Sequence, residues 1–262
     1  MWTSRPLAAL SGVLALATVA ATAPAASADP RDEASLLQMN LCLSGYAGCF
    51  PGTEHPSVVD EAVEQVAATA PDAVSLNEAC SGDVERIGRD TGYEVAFTTV
   101  VYRGGPLECR TPGGRGVFGN AVLTREPQVD REEAAFSSQR GSEERRWLCV
   151  TTTDDLVACT THLAVAGTPE DQANQDAQCA ELSDVMAAQG VRRAVLVAGD
   201  LNRRTDCAPT GAWSRSDAAA EQLPGIQQVA GTLSSLVPTS TEVLPMTYTD
   251  HDALLVTSRR RG

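Results

Sequence analysis

Short apolar runs that end in polar side chains recur along this chain. Ala194 to Ala198 is continuously apolar and reads as a strand covered on both faces; Gly199 reads as a bend, and Asp200 and Asn202 follow. Period-2 geometry predicts that these two side chains point the same way, although a plain Asp-x-Asn turn has the same spelling. Ser35 to Leu41 ends similarly near Asn40, and Ala73 to Leu76 runs into Asn77 and Glu78. Tyr93 to Tyr102, rich in aromatic and β-branched residues, and Phe118 to Thr124 read as further strands. Trp147 to Thr152 and Leu156 to Thr161 flank Thr153-Asp154-Asp155 and predict a hairpin that delivers His162. A last apolar run, Ala253 to Val256, follows Asp250 and His251.

Helical spacing of Val58, Ala62, Val63 and Val66 predicts a helix over Ser57 to Ala68, with Ser57 able to cap it. Ser81 to Asp90 reads as a second helix and Pro169 to Gln189, on composition, as a third. Arg203 to Met246 shows no legible pattern. Some strands sit in hairpins and others are separated by helices, which implies mixed sheets with helices packed outside, an α/β layered architecture.

Composition adds a compartment. Residues 1–28 carry Arg5, an apolar stretch from Leu7 to Ala20 and the small-residue site Ala26-Ser27-Ala28, the pattern of a secretory signal peptide. Residues 29–262 then form one domain, expected to be secreted, monomeric and without stable membrane anchoring, since no second hydrophobic span follows. All eight cysteines lie in that part, an even number that predicts disulfides. Cys149 and Cys159 face each other across the expected hairpin, and Cys42 with Cys49 would close a short loop. The simplest sequential solution then pairs Cys80 with Cys109 and Cys179 with Cys207. Metal binding by these cysteines is disfavoured by the lack of Cys-x-x-Cys spacing.

Charge narrows the partners. Acidic residues outnumber basic ones 34 to 20, every basic residue is arginine, and the net charge of -14 disfavours non-specific adhesion to nucleic acid or anionic membrane. An enzyme acting on nucleic acid needs only local positive charge, and the glycine-rich stretch from Arg103 to Gly116 supplies Arg103, Arg110 and Arg115 against Glu108. It reads either as a substrate-contacting loop or as a solvated surface loop.

The three histidines are His55, His162 and His251. His55, before Pro56 in a polar loop, reads as exposed, whereas His162 and His251 fall where strands meet loops. Asn40, Glu78, Asp200, Asn202 and Asp250 fall at similar boundaries. Imidazoles move protons at neutral pH, and oxygen-rich side chains suit a hard cation or a phosphate.

The ordered set Met39-Asn40, Asn77-Glu78, Gly119-Asn120-Ala121, Thr161-His162-Leu163, Gly199-Asp200-Leu201-Asn202 and Thr249-Asp250-His251 resembles the endonuclease/exonuclease/phosphatase superfamily, the DNase I-like metal-dependent phosphoesterases. That resemblance implies a four-layer α/β/β/α sandwich of two mixed sheets flanked by helices. It implies that Glu78 with Asn40, completed by Asp250, holds Mg2+ or alternatively Mn2+ or Ca2+, and that Asp200 and Asn202 orient the phosphate. His251 would act as general base, with Asp250 as a possible orienting neighbour, and His162 would stabilise developing charge. Asn120, Arg146 and Arg203 are candidate substrate contacts, with Arg204 a further one. Members often have Gln where this chain has Asn77 and Ser where it has Thr249. They usually carry an Asp-bearing strand between the last two motifs, for which Asp206 and Asp217 are the candidates.

The expected function is a secreted, divalent-metal-dependent phosphodiesterase acting on DNA or RNA. A sphingomyelinase or inositol-phosphate-type phosphatase is the alternative, and low aromatic content and the lack of an apolar hairpin count against a lipid substrate. A catalytically weakened binding or toxin-like protein on the same fold is the reading from a different class.

Overall fold

A computed structural model of the chain describes residues 1–2, 32–49 and 53–261. The expected leader, residues 1–28, lies outside them apart from its first two residues. Strand β1 (Glu33–Asn40) leads to helix α1 (Ser57–Thr69), strand β2 (Ala73–Cys80), helix α2 (Ser81–Thr91) and strand β3 (Glu94–Thr99). A small hairpin of β4 (Val101–Tyr102) and β5 (Gly105–Pro106) precedes β6 (Phe118–Thr124), β7 (Gln128–Ala135), β8 (Arg146–Thr152) and β9 (Leu156–His162). Helix α3 (Pro169–Gln189) then leads to β10 (Ala194–Asp200), β11 (Ala212–Ser216), β12 (Gln227–Thr232), β13 (Leu236–Leu244) and β14 (Ala253–Arg260).

The strands form two six-stranded sheets, ordered β13-β14-β1-β2-β6-β3 and β11-β12-β10-β9-β8-β7. Each sheet has one parallel pair, β1 with β2 and β9 with β10, and is otherwise antiparallel. A parallel pair needs a crossover, and α1 and α3 supply the two. Val58, Ala62 and Val66 of α1 pack with Met39 and Leu76 on the outer face of the first sheet, where Val84 and Ile87 of α2 join them. Leu182 and Met186 of α3 pack on Val195 and Val197 outside the second. Leu36, Val122, Leu148, Leu196 and Leu254 fill the space between the sheets. The result is the expected four-layer sandwich.

Several local readings change. Gly199 does not bend the chain, since β10 continues through Asp200; a Cβ at Gly199 would lie 2.0 Å from the Thr161 carbonyl oxygen, so glycine is needed for close approach. Gly199→Ala is therefore expected to cost about 1–3 kcal/mol through overpacking. A lower urea midpoint and a lower turnover would show it, because Asp200 is the next residue. Ser57 is the first helical residue and makes no capping bond, whereas α3 has a reciprocal capping box between Thr168 and Asp171. The patternless stretch after Arg203 folds into β11, β12 and β13. Strand β7, Gln-Val-Asp-Arg-Glu-Glu-Ala-Ala, is a largely exposed edge strand whose charges hide its β character.

All four disulfides follow the sequential pairing, Cys42 with Cys49, Cys80 with Cys109, Cys149 with Cys159 and Cys179 with Cys207. Cys149 and Cys159 lie directly opposite each other on β8 and β9. Among the described residues no helix is long and apolar enough to cross a membrane.

Candidate active site

The carboxyl ends of the two parallel pairs converge. Asn40 lies opposite Asn77 in the first sheet, and Asp200 lies opposite His162 in the second. Asn77 ties the two together: its Oδ1 accepts the backbone N–H of Asp200 at 2.7 Å, and its Nδ2 donates to the Thr161 carbonyl at 2.9 Å. The same amide bonds Asn120 Oδ1 and accepts from Gln38 Nε2. Asn77 is thus a buried staple between sheets, and Asn120 sits behind the site as its partner.

Glu78 is brought forward by an irregularity. Pairing of β2 with β6 shifts between Leu76 and Ala79, and Glu78 there has φ of 52°. A bulge with a left-handed non-glycine residue re-aims a side chain at some conformational cost. Asn40 Nδ2 then donates to Glu78 Oε1 at 3.1 Å and to Asp200 Oδ2 at 3.0 Å, holding two carboxylates side by side. Because Asn40 Oδ1 accepts the Cys42 N–H, Asn40 presents donors to the carboxylates. Burial pushes the Glu78 carboxyl up to about 7, with Asn40 opposing and the Asp200 charge reinforcing that rise. Asp200 is likewise raised by burial, offset by the charge of His251 and the bonds from Asn202 and Asn40.

Asp200 Oδ2 is the hub. It lies 3.6 Å from His251 Nε2 and 3.9 Å from His162 Nε2, while Glu78 Oε1 is 3.9 Å from the latter. Asp200 Oδ1 accepts the Asn202 N–H at 2.9 Å, and Asn202 has φ of 51°. The Asp-x-Asn turn and the polar cluster are therefore one feature. From that turn Asn202 Nδ2 reaches the Leu163 carbonyl at 3.0 Å and His162 Nε2 at 3.1 Å, so His162 accepts at Nε2. Burial, then the charges of Arg145 and His251, hold the His162 ring well below its usual pKa and hence neutral. Helix α3 braces both loops, since Gln175 Nε2 donates to the carbonyls of Ala164 and Asn202.

The terminal motif closes the cluster. Thr249 donates its hydroxyl to the Asn40 carbonyl at 2.9 Å, and His251 Nε2 lies 3.8 Å from Asp250 Oδ1. Asp250 Oδ1 and His251 Nδ1 are both buried without a hydrogen-bond partner among the described residues. The Cys42–Cys49 disulfide lies within 4.8 Å of the Asp250 carboxylate, and its oxidised sulfurs pack there without being thiolate ligands.

The strand sought between the last two motifs is β12, which pairs with β10 and sets Gln227 opposite Asp200. Asp217 is fully buried beneath it and accepts the backbone N–H groups of Gly225 and Gln227. Burial raises the Asp217 carboxyl and the charge of His251 lowers it, yet the two form no ion pair among the described residues. Asp206 is exposed and accepts the Ala208 N–H of its own loop.

The arginines singled out in the sequence each have protein partners. Arg146 is turned onto Thr98 and pairs with Glu144, and Arg203 pairs with Asp176 at 2.8 Å. Arg115 of the glycine-rich stretch is buried in an ion pair with Asp83 at 2.6 Å, while His55, expected in an exposed loop, binds the other oxygen of Asp83. The arginine whose charge is felt by Glu78, His162 and Asp200 is Arg145, one residue before the start of β8. Two adjacent arginines at a strand start gave no sequence signal for choosing between them.

A family model and several solved structures are similar to this chain. A family model described as Endonuclease/Exonuclease/phosphatase family matches residues 54–251. An endonuclease/exonuclease/phosphatase from Beutenbergia cavernae superposes with a TM-score of 0.68 at 19% identity, covering 88% of this chain and 72% of that one. The human Nocturnin catalytic domain with bound sulfate anion gives 0.65 at 16% identity, covering 88% and 94%. D. rerio TDP2 complexed with single strand DNA product gives 0.59 at 13% identity, covering 87% and 99%. No curated protein matches the chain at a significant level.

Proposed function

We propose, from the premise that this chain belongs to the endonuclease/exonuclease/phosphatase family, that it is a secreted, divalent-metal-dependent phosphodiesterase acting on DNA or RNA. The observation that carries the reading is the hub at Asp200 Oδ2, with two imidazoles within 4 Å and Glu78 held beside it by Asn40. The bound sulfate of the Nocturnin structure and the DNA product of the TDP2 structure support a phosphate ligand on this fold.

The donor set fits a hard cation. Glu78 and Asp200 each accept from the Asn40 amide and Asp250 Oδ1 is buried without a hydrogen-bond donor among the described residues, although the three carboxylates do not all lie within 4.8 Å of one another, so an ion would have to draw them together. Of the expected ligands, Glu78 and Asp250 would hold a magnesium-type ion together with Asp200, whereas Asn40, expected as a ligand, has its amide oxygen taken by the Cys42 N–H and instead orients Glu78 and Asp200 through its donors. When bound, such an ion supplies positive charge to a phosphate oxygen.

Hydrolysis adds water at phosphorus and breaks one P–O ester bond. His251, whose Nε2 faces the cluster, takes the proton that water loses. Burial keeps His162 neutral in the free protein despite Glu78 and Asp200 at 3.9 Å; an arriving phosphate adds a further anion that offsets the burial penalty and lets the ring carry a proton. Asn202 holds the neutral ring in place through Nε2; protonation there releases that amide, and the protonated ring gives the leaving oxygen the proton that completes the alcohol product, while His251 keeps the one that water lost.

The test incubates the protein with plasmid DNA, heat-denatured DNA, RNA, sphingomyelin and inositol phosphates, with magnesium or EDTA. Cleavage of nucleic acid that EDTA abolishes is the expected result; cleavage of lipid or inositol phosphates alone would reject the nuclease reading. Magnesium at ~100 times its Kd should also raise stability by about 2.7 kcal/mol in thermal melts, and Glu78→Gln should remove most of that rise. An unchanged melt would reject the cation site. The catalytically weakened reading rests on His251 Nδ1, which has no hydrogen-bond partner among the described residues, and it wins if no ester is cleaved.

A further inference from the structure

Next to Glu78 opens a pocket of about 270 Å³ that the reaction above leaves unused. Tyr46, Tyr102, Leu107 and Phe118 give it apolar walls, and Arg145 lines it together with Glu78. This is just under the ~300–1,000 Å³ of pockets that take drug-sized ligands, and so suits one ring system.

Its polar lining is unusual. The Arg145 side chain is 12% exposed and pairs with Glu143 at 3.1 Å, yet neither Arg145 Nη1 nor Glu143 Oε1 has a hydrogen-bond partner. A guanidinium held by one carboxylate, with no hydrogen bond from its side chain among the described residues, keeps donors for a ligand. Two tyrosines carry arginines of the glycine-rich stretch: Arg110 lies 3.7 Å from the Tyr46 ring centroid and Arg103 5.2 Å from that of Tyr102. Aromatic walls flanked by cations, one step from a phosphate site, match what a nucleotide offers, a flat ring joined to anionic phosphate.

We propose that this pocket is the subsite for a single unstacked nucleobase beside the scissile phosphate, so that single-stranded nucleic acid is the substrate and duplex is not. The proposal rests on the phosphodiesterase reading. A base inside a duplex is stacked on both faces and enters such a pocket only after it is extruded from the helix. An unpaired base pays no such penalty.

The test uses the full chain, a dinucleoside monophosphate, and its two analogues that each lack one base. Removing the base that occupies the pocket should lower kcat/KM about tenfold, the factor given by ~1.4 kcal/mol of stacking. Tyr102→Ala should cost the intact substrate a similar factor and leave that abasic analogue unaffected, while Tyr102→Phe keeps the ring and the activity. Tyr46→Ala, at a side chain 49% exposed, gives a second variant with little risk to folding. An oligonucleotide should be cut faster alone than annealed to its complement. Equal cleavage of all three small substrates, or of single strand and duplex, overturns the pocket while leaving the phosphodiesterase reading intact. If nothing is cleaved, that reading fails and binding decides the pocket. A nucleoside monophosphate bound more tightly than ribose phosphate by the parent but not by Tyr102→Ala supports it; equal binding by the parent overturns it.

Discussion

Replacing His162 by alanine is expected to lower kcat by roughly 10²–10⁴-fold, the usual range for loss of a proton-transfer or charge-stabilising group. The fold should survive. His162 makes one side-chain hydrogen bond, to Asn202 Nδ2, and that amide keeps its bond to the Leu163 carbonyl. Little else depends on the ring, whose remaining polar neighbours are Glu78 and Asp200 at 3.9 Å. Substrate affinity should change less than turnover, because the charge on the leaving oxygen that His162 meets develops only in the transition state. Turnover, KM and a circular-dichroism melt check the three claims together. Activity within a few-fold of the parent, with a normal melt, would remove His162 from the reaction.

Strand ends were legible because their apolar runs are unbroken and their polar termini abrupt. Asn40, Glu78, His162 and Asp200 each sit where such a run meets a loop, and the structure brings them together. The conformations that aim them were not legible. Glu78 depends on a bulge in β2 and Asn202 on a left-handed turn, and neither glutamate nor asparagine in a strand-end sequence announces φ near +50°. Long-range pairing was equally hidden. Asp83 and Arg115, 32 residues apart, look like surface charges until burial makes them partners. The region after Arg203 failed for another reason: β13 has a register shift and β11 spans only five residues, so neither keeps a clean alternation. Where two like residues adjoin, as with Arg145 and Arg146, the sequence does not say which one lies nearer the cluster; in the structure Arg145 lines the pocket beside Glu78 and Arg146 bonds Thr98 and Glu144.

The largest structural loss is expected at Asn77, a residue whose sequence context suggested only a variation on a common motif. Asn77→Ala should destabilise the protein by roughly 2–4 kcal/mol, because buried groups left without partners cost ~1–3 kcal/mol each. The Asp200 N–H and the Thr161 carbonyl are the chief groups stranded; Gln38 Nε2 retains Gln227 Oε1. Turnover should fall as well, since the two backbone groups belong to the strand ends that carry Asp200 and His162. Asn77→Asp separates the two halves of the amide. The aspartate keeps an acceptor for the Asp200 N–H, but when ionised it has no donor for the Thr161 carbonyl and is buried without a cation. Burial would raise its folded-state pKa above the unfolded value, so the variant should be closest to the parent below the unfolded pKa and lose stability as pH rises toward the folded one. Urea denaturation at acid and neutral pH measures that difference. If Asn77→Ala unfolds at the parental midpoint, the two sheets are held in register by packing alone, and Asn77 is not the residue that sets the carboxylates and imidazoles against one another.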